Sequence, residues 1–489
     1  LKQTLDAGGA DQVGMLVSPT ATLEEMSLMQ ALARGIGVNN IDHRLRQSDF
    51  TDQQQAPLMP SLGQPLADIE KLDAALVIGS NIRKDQPIIG HRLRKAAVAG
   101  AKVMFVNPVD YEFLFDVHAK AIASPAQLAA TLAGIAASYP DAANKGDDTV
   151  KTAIGNASPD ETQREMAAAL KDADSATVLL GNVATSHPQY SLLRALAQVI
   201  ADCSGATLGL LPEAANSVGG WLAGVVPHRG PAGADVDTVG LNALEMLSAR
   251  LKAYVLFNVE PAHDCFDAAA ANAAVEAADF VVSISPFASE VTRSFADVLL
   301  PIGPFTETSG TFVNAEGRWQ SFAGVASPVG DSRPGWKVLR VLGNQFDIDG
   351  FTQTGTEEIR DALRAQCESA ALDNRQPDGP VADAIQGGDL ERIGDVAILS
   401  TDSLVRRAQP LQASPDGQVA GLLRISSSTA ESAGVREGYR VRVSQGDASV
   451  EMDVSVDERV TDGCVWLQSG TTASASLGAA FGPVTMERV

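Results

Sequence analysis

The sequence predicts an α/β fold in which parallel sheets with flanking helices form two lobes, followed by a β-rich, barrel-like C-terminal domain. Short apolar runs of strand length recur along the chain, and each ends at a small polar turn. A helical pattern follows most of these turns, which is typical of parallel strands joined by helices. After residue 392 the pattern changes to alternating apolar and polar residues, which favours antiparallel strands.

The first predicted strand covers residues 13–17 and is followed by a helix. Thr22 and Glu25 have the spacing of a capping box, in which each side chain bonds the backbone N–H of the other residue. The helix that begins there is expected to end near Gly35. This pair of elements opens the first lobe.

The later strands of the two lobes are mostly apolar, as expected for strands that are covered on both faces. They are predicted at residues 74–78, 102–106, 177–180, 253–257 and 280–284. In an open parallel sheet, ligands bind in the loops at the carboxyl ends of the strands. We therefore look for binding residues directly after each strand.

The C-terminal strands are predicted at residues 440–443, 449–456 and 464–467, with hairpin turns at 445–447 and 461–463. The stretch 373–389 is rich in Asp, Pro, Gly and Gln and has no periodicity, as in linkers. We divide the chain into an α/β region at 1–372, with a possible break between its two interleaved lobes near 150–175, a linker at 373–392 and a β-rich domain at 393–489.

Composition excludes several classes of function. The formal charge of −23 argues against nucleic-acid binding, because neutralising phosphates requires clustered Lys and Arg. No run reaches the ~18 apolar residues that span a bilayer. The four cysteines lie far apart, without the short spacing of iron–sulfur or structural zinc sites, and are expected to be free thiols; they are Cys203, Cys265, Cys367 and Cys464. No HExxH pair supports a hydrolytic zinc site.

Several motifs resemble the molybdopterin-dependent oxidoreductases. The run ADVLLP at 296–301 leads to GTFVNAEGR at 310–318. This is similar to the ADVVLP-like stretch and the GT-F-N-x-E-x-R loop that lies beside the pterin nucleotide in that family. The turn GSN at 79–81 and the run GAK at 100–102 resemble the family's nucleotide lobe, and Asn216 with Gly219 resembles its N-x-x-G loop.

Within that superfamily, three runs resemble the G-subunit family of NADH:quinone oxidoreductase, respiratory complex I. They are DHRLRQSDF at 42–50, FNVEP at 257–261 and DSLVRRA at 402–408. The resemblance implies a structural, non-catalytic region without cofactor, with iron–sulfur clusters in a preceding N-terminal part. It also implies other peripheral-arm subunits as partners, no direct membrane insertion, and a place on the cytoplasmic side of the bacterial inner membrane in a membrane-associated complex.

An alternative is an active molybdenum or tungsten bis-pterin oxidoreductase of the formate-dehydrogenase type. In active relatives a cysteine or selenocysteine binds the metal a few residues after the N-N-x-D stretch. Ser48 occupies that register in this sequence, and serine ligates molybdenum in some branches of the family. The same residues also suit a solvated or subunit-facing turn. On the main interpretation the chain has no catalytic residue and no metal ligand.

The resemblance also identifies candidates for a relic nucleotide pocket. They are Gly79, Ser80, Asn81, Asn107, Asn314 and Arg318. Active members tend to show D-P-R where this chain shows NPVD at 107–110, so a carboxylate and a guanidinium that could hold a nucleotide are missing. We therefore expect no bound pterin dinucleotide. A third possibility is a binding module that keeps a single nucleotide at 79–81.

Overall fold

The computed structural model describes residues 1–367, 373–383, 385 and 387–489. They form two compact units, each assembled from separate stretches of chain. Unit 1 comprises Leu1–Arg46, Ala214–Leu372 and Leu399–Gln412, and unit 2 comprises Gln47–Glu213, Asp373–Ile398 and Ala413–Val489. The end of the predicted α/β region, at 368–372, and positions 384 and 386 of the predicted linker lie outside the described residues. The predicted division at 372/373 therefore stays a prediction.

The strands fall mostly at the apolar runs of the sequence. In chain order they are β1 (Val13–Val17), β2 (Ile41–Asp42), β3 (Ala74–Ile78), β4 (Lys102–Asn107), β5 (Ala119–Ile122), β6 (Ala176–Leu180), β7 (Thr207–Leu210), β8 (Ala253–Phe257), β9 (Phe280–Ser285), β10 (Val298–Pro301), β11 (Gly310–Val313), β12 (Trp319–Phe322), β13 (Glu391–Ile393), β14 (Leu423–Ile425), β15 (Arg440–Gln445), β16 (Ala448–Val456), β17 (Cys464–Trp466), β18 (Phe481–Pro483) and β19 (Thr485–Arg488).

The α-helices connect and cover these strands. In chain order they are α1 (Lys2–Gly8), α2 (Leu23–Gly35), α3 (Ile82–Asp85), α4 (Pro87–Val98), α5 (Leu128–Ala137), α6 (Asp148–Asn156), α7 (Glu161–Lys171), α8 (Asn182–Thr185), α9 (Tyr190–Ser204), α10 (Ser217–Leu222), α11 (Ala243–Ala249), α12 (Pro261–Asp264), α13 (Ala268–Ala277), α14 (Glu290–Phe295), α15 (Gly335–Gln345), α16 (Thr356–Cys367), α17 (Ser403–Arg406), α18 (Gln409–Gln412), α19 (Pro415–Val419) and α20 (Ser427–Ser432).

Unit 1 is built on a five-stranded parallel sheet of order β10-β9-β8-β1-β2. Every residue of β1 and β8 is buried, which explains why these strands read as continuous apolar runs. The capping box of α2 is confirmed, since Thr22 Oγ1 accepts the Glu25 N–H and Glu25 accepts the Thr22 N–H. A separate hairpin, β11–β12, carries the GTFVN run.

Unit 2 contains a second five-stranded parallel sheet, of order β5-β4-β3-β6-β7. Its apolar core lies between this sheet and helices that include α5, α7 and α9. The carboxyl ends of β3 and β4 are adjacent, because Ile78 pairs with Val106. The predicted turns at 79–81 and 107–108 therefore lie side by side.

The C-terminal part of unit 2 is a seven-stranded mixed sheet of order β18-β13-β17-β14-β16-β15-β19, and its barrel-like form was predicted. Strands β15 and β16 form the expected hairpin, with Gly446 in the left-handed conformation at φ 58°. The prediction of a second hairpin at 461–463 is wrong, because β14 lies between β16 and β17. Alternation within a strand indicates which face is buried, but it does not indicate which strand is the neighbour.

The fold class predicted from the sequence is confirmed. Within the described residues, no helix is long and apolar enough to cross a membrane.

Candidate functional site

The predicted nucleotide turn lies where β3 and β4 end, and its polar groups bond to each other. The Ser80 N–H donates to Asn107 Oδ1 at 2.8 Å, and Asn107 Nδ2 donates to the Ser80 carbonyl at 3.2 Å. Asn107 is only 1% exposed. Its amide therefore ties the two turns together, and the side chain that replaces the carboxylate of active relatives has a structural contact.

Close packing occupies the space in front of the same turn. Gly79 has φ 61°, and a Cβ built there would lie 2.5 Å from the backbone N of Ala184. Helix α8 thus lies directly against the glycine. A phosphate bound at this turn would need exposed backbone N–H groups in the space that α8 occupies. The N–H of Asn81 donates to Asp85 Oδ2 at 3.2 Å, so this donor is also engaged within the chain. The buried Ser80 Oγ has no hydrogen-bond partner within the described residues.

Ser48 is half-buried, and its hydroxyl is engaged by the backbone. Ser48 Oγ donates to the Ser186 carbonyl at 2.8 Å. The neighbouring Asp49 Oδ2 accepts the Ser191 N–H at 2.7 Å, which holds this loop at the start of α9. Among the described residues, no group of three His, Cys, Asp or Glu side chains is arranged to hold a metal ion.

The other two candidates, Asn314 and Arg318, lie in unit 1 at the β11–β12 turn. Asn314 Oδ1 accepts the N–H of Glu316 at 3.1 Å and of Arg318 at 2.8 Å, so the asparagine organises the turn. The Arg318 side chain is exposed. Gly79, Ser80, Asn81 and Asn107 are therefore brought together in unit 2, whereas Asn314 and Arg318 form a separate turn in unit 1.

Several pocket residues were missed by sequence reasoning. A pocket of about 280 Å³ in unit 2 extends from Asn81 to the C-terminal sheet, and its lining includes Tyr111, Asp395, Arg424 and Trp466. These residues lie far apart in the sequence and form no short motif. The pairing of β13 with β17 brings the segments of Asp395 and Trp466 together.

The electrostatics of this pocket depend on two carboxylates. Burial and, to a smaller extent, the charge of Asp395 together raise the pKa of Asp85 to about 7. Burial also raises the pKa of Asp395, against hydrogen bonds that favour its ionised form. Trp466 Nε1 donates to Asp395 Oδ1 at 2.6 Å, and the Tyr111 hydroxyl donates to Asp395 Oδ2 at 3.2 Å.

A pterin nucleotide does not fit the predicted turn as the residues stand. The amide of Asn107 and the Asn81 N–H are both engaged within unit 2, and α8 packs on Gly79. The guanidinium expected after the second strand is missing from NPVD at 107–110. These observations apply to the turns at 79–81 and 107–110 in unit 2. The other place where the family resemblance predicts nucleotide contacts is the β11–β12 turn in unit 1.

Comparisons with known proteins agree with the fold. The family model for molybdopterin oxidoreductases matches residues 1–345. The G subunit of NADH-quinone oxidoreductase from Mycobacterium bovis is 27% identical over 98% of this chain and 59% of its own length. The alpha subunit of NADPH-Fe(3+) oxidoreductase from Geobacter sulfurreducens is 25% identical over 100% of this chain and 65% of its own length.

Among solved structures, acetylene hydratase from Pelobacter acetylenicus has a TM-score of 0.70 at 12% identity, covering 100% of this chain and 88% of its own. That likeness shows the fold. The chain spans about three fifths of the length of the curated relatives described above. The resemblance predicted from the sequence is confirmed, with relatives named as the G subunit matching nearly all of the chain. The match to the family model over most of its length shows that this chain belongs to the molybdopterin oxidoreductase family.

Proposed function

We propose that this chain is the structural, cofactor-free region of the G subunit of an NADH:quinone oxidoreductase. Relatives of that name match nearly the whole chain, which supports the assignment to this branch of the family. The observation that carries the cofactor-free role is the closed turn after β3, where α8 packs on Gly79 and Asn107 bonds to Ser80.

In this role the chain supports electron transfer from NADH to quinone without carrying electrons itself. The iron–sulfur clusters would lie in another part of the same polypeptide, and the neighbouring peripheral-arm subunits would be its partners. The complex would be membrane-associated, with this region on the cytoplasmic side. The chain would then act as a folded body that other redox-carrying parts pack against.

The alternative is an active molybdenum or tungsten enzyme with Ser48 on the metal. The contact of Ser48 Oγ with the Ser186 carbonyl argues against it, because the hydroxyl proton is engaged and the oxygen faces backbone. A metal-bound serine would have to lose this proton and turn away from Ser186.

The test is the molybdenum, tungsten and pterin content of the full-length protein after expression in a host that makes the cofactor. We expect all three to be near zero, while an active bis-pterin enzyme expressed in the same host is loaded. The variant Ser48→Ala should leave these values unchanged and cost about 1 kcal/mol of stability, as for one hydrogen bond. Stoichiometric metal with pterin that disappears in Ser48→Ala would establish the alternative.

A further inference from the structure

The pocket between the β3 and β4 loops and the C-terminal sheet of unit 2 is lined by both basic and acidic side chains. Four basic and four acidic side chains line it. Two pairs of them neutralise each other at the rim: Lys84 lies 2.5 Å from Asp416, and Arg83 lies 3.5 Å from Glu112. The third basic side chain, Arg459, pairs with Asp457, which does not line the pocket. The remaining charges belong to Arg424 and to a pair of aspartates.

Arg424 is buried with free hydrogen-bond donors. It is 5% exposed, and neither Nε nor Nη2 has a partner within the described residues. Its guanidinium carbon lies 3.2 Å from the centre of the Trp466 ring, so stacking fixes the plane of the group. A fixed guanidinium edge with two N–H groups matches the geometry of a carboxylate. A buried donor without a hydrogen-bond partner raises the free energy of the folded protein. The arrangement therefore favours an anionic ligand group that accepts from these donors.

The two aspartates, Asp85 and Asp395, present the opposite charge in the same pocket. In the part of the chain that the structure describes, neither forms a salt bridge. Asp395 accepts hydrogen bonds from neutral donors, and Asp85 accepts one from the Asn81 N–H. Two neighbouring carboxylates repel each other, and a cation that contacts both would remove this repulsion.

We propose that this pocket binds a small zwitterion, with its carboxylate on Arg424 and its ammonium group on Asp85 and Asp395. Apart from the ion-paired side chains, the pocket keeps one cationic and two acidic groups, so a ligand that carries both an anionic and a cationic group suits it. A phosphate or another simple anion could satisfy Arg424 but would leave the carboxylates unpaired and add to their repulsion. The volume of about 280 Å³ lies below the ~300–1,000 Å³ of drug-sized sites, which points to a small molecule.

The experiment is calorimetric titration of the full-length protein with amino acids of increasing charge separation: glycine, β-alanine and γ-aminobutyrate. Acetate and methylammonium serve as probes that carry one charge each. At about pH 8, where Asp85 is mostly ionised, we expect one amino acid to bind at least about tenfold more tightly than either single-charge probe. Its affinity should fall by about tenfold or more in Arg424→Met and in Asp85→Asn.

The matched control is Arg488→Met, which removes an exposed arginine that is also stacked on an aromatic ring, Tyr439, in the same sheet. It should leave the affinity unchanged. If Arg424→Met fails to fold, Arg424→Lys keeps the charge but removes the planar pair of donors, and the same loss is expected. The proposal is overturned if no amino acid binds better than acetate, or if binding survives the loss of Arg424.

Discussion

Asn216 is a single residue that joins three segments of unit 1. It is fully buried, and its Nδ2 donates to the Ala21 carbonyl at 2.8 Å and to the Thr311 carbonyl at 3.3 Å. Its Oδ1 accepts the Val313 N–H at 2.9 Å. The family-like N-x-x-G loop thus connects the segment before α2 with the β11–β12 hairpin through protein–protein hydrogen bonds. This residue has a clear structural role in the unit.

We expect Asn216→Ala to lower the free energy of unfolding by about 3 kcal/mol, because it leaves buried backbone groups without partners. Urea denaturation followed by circular dichroism measures this change. The control is Asn344→Ala at an exposed position of α15, which should change stability by less than about 0.5 kcal/mol. Equal effects of the two substitutions would contradict the assigned role.

At the scale of the element, the start of α2 contains an acid with a shifted pKa. Burial raises the pKa of Glu25 to about 7, against the hydrogen bonds from Thr22 that favour its ionised form. The protonated form is thus favoured by folding, and the contribution of Glu25 to stability falls as pH rises from about 4.5 to about 7. Helix α2 keeps its capping contact at the cost of burying a carboxyl group.

We expect Glu25→Gln to stabilise the protein by about 2 kcal/mol at about pH 8, with the gain shrinking towards pH ~5, where Glu25 is protonated in the folded state. Glutamine can still accept the Thr22 N–H, so the cap is kept. Denaturation at both pH values measures the difference. The control, Glu245→Gln, changes an exposed glutamate with the same capping contact at α11, and it should show little dependence on pH.

Helix α17 is held in unit 1 by buried ion pairs. Arg406 contacts Glu260 and Asp264, each at 2.8 Å, and Arg407 contacts Glu260 at 2.5 Å. Burial alone would raise the pKa of Glu260, but the hydrogen bond from Arg407 and the charge of Arg406 hold it at about 2. The stability that this group contributes is present above pH ~4.5 and is lost as pH falls towards 2.

We expect Arg406→Met to cost about 3–5 kcal/mol at neutral pH, because two buried carboxylates lose their main cation. The loss should diminish as pH falls from about 4.5 towards 2, because the stability contributed by ionised Glu260 is lost over that range. Thermal denaturation across this range provides the measurement. Arg440→Met removes an exposed arginine that pairs with Asp453 at 3.1 Å, and it should cost less than about 1 kcal/mol. A pH-independent loss in Arg406→Met would contradict the ion-pair explanation.

At the scale of the whole molecule, local sequence patterns predicted the helices and strands. Long-range contacts determine the strand order of the C-terminal sheet and the position of the pocket. Strands β1 and β8 could be predicted from their continuous apolar runs, because both faces of each strand are buried. The capping box of α2 could be predicted because its two partners, Thr22 and Glu25, are three residues apart in the sequence. The pocket around Arg424 and Asp395 could not be predicted from the sequence, because these residues are brought together by the strand order of the C-terminal sheet.

The C-terminal sheet also supports the end of β4 within unit 2. Val109 and Tyr111 form an apolar cluster with Val460 and Trp466, and Val109 pairs with Val460 through an isolated bridge. We expect truncation after Gln412 to increase hydrogen exchange at 109–111, because the partners of these residues are removed. Exchange in β1 and β8 of unit 1, which is retained, provides the internal comparison. Unchanged protection at 109–111 would show that the β4 loop is ordered without this sheet.

The division of each unit into three stretches of chain has a consequence for biosynthesis. Strand β1 and helix α17 belong to the same unit, so that unit is complete only when the ribosome has translated through Gln412. At ~5–20 residues per second, this takes about 20–80 s from residue 1. During that interval the apolar faces of β1 and α2 lack part of their native cover, and they are candidates for chaperone binding on the nascent chain. Slower growth at low temperature should therefore raise the soluble yield more for this protein than for one whose domains are continuous in sequence.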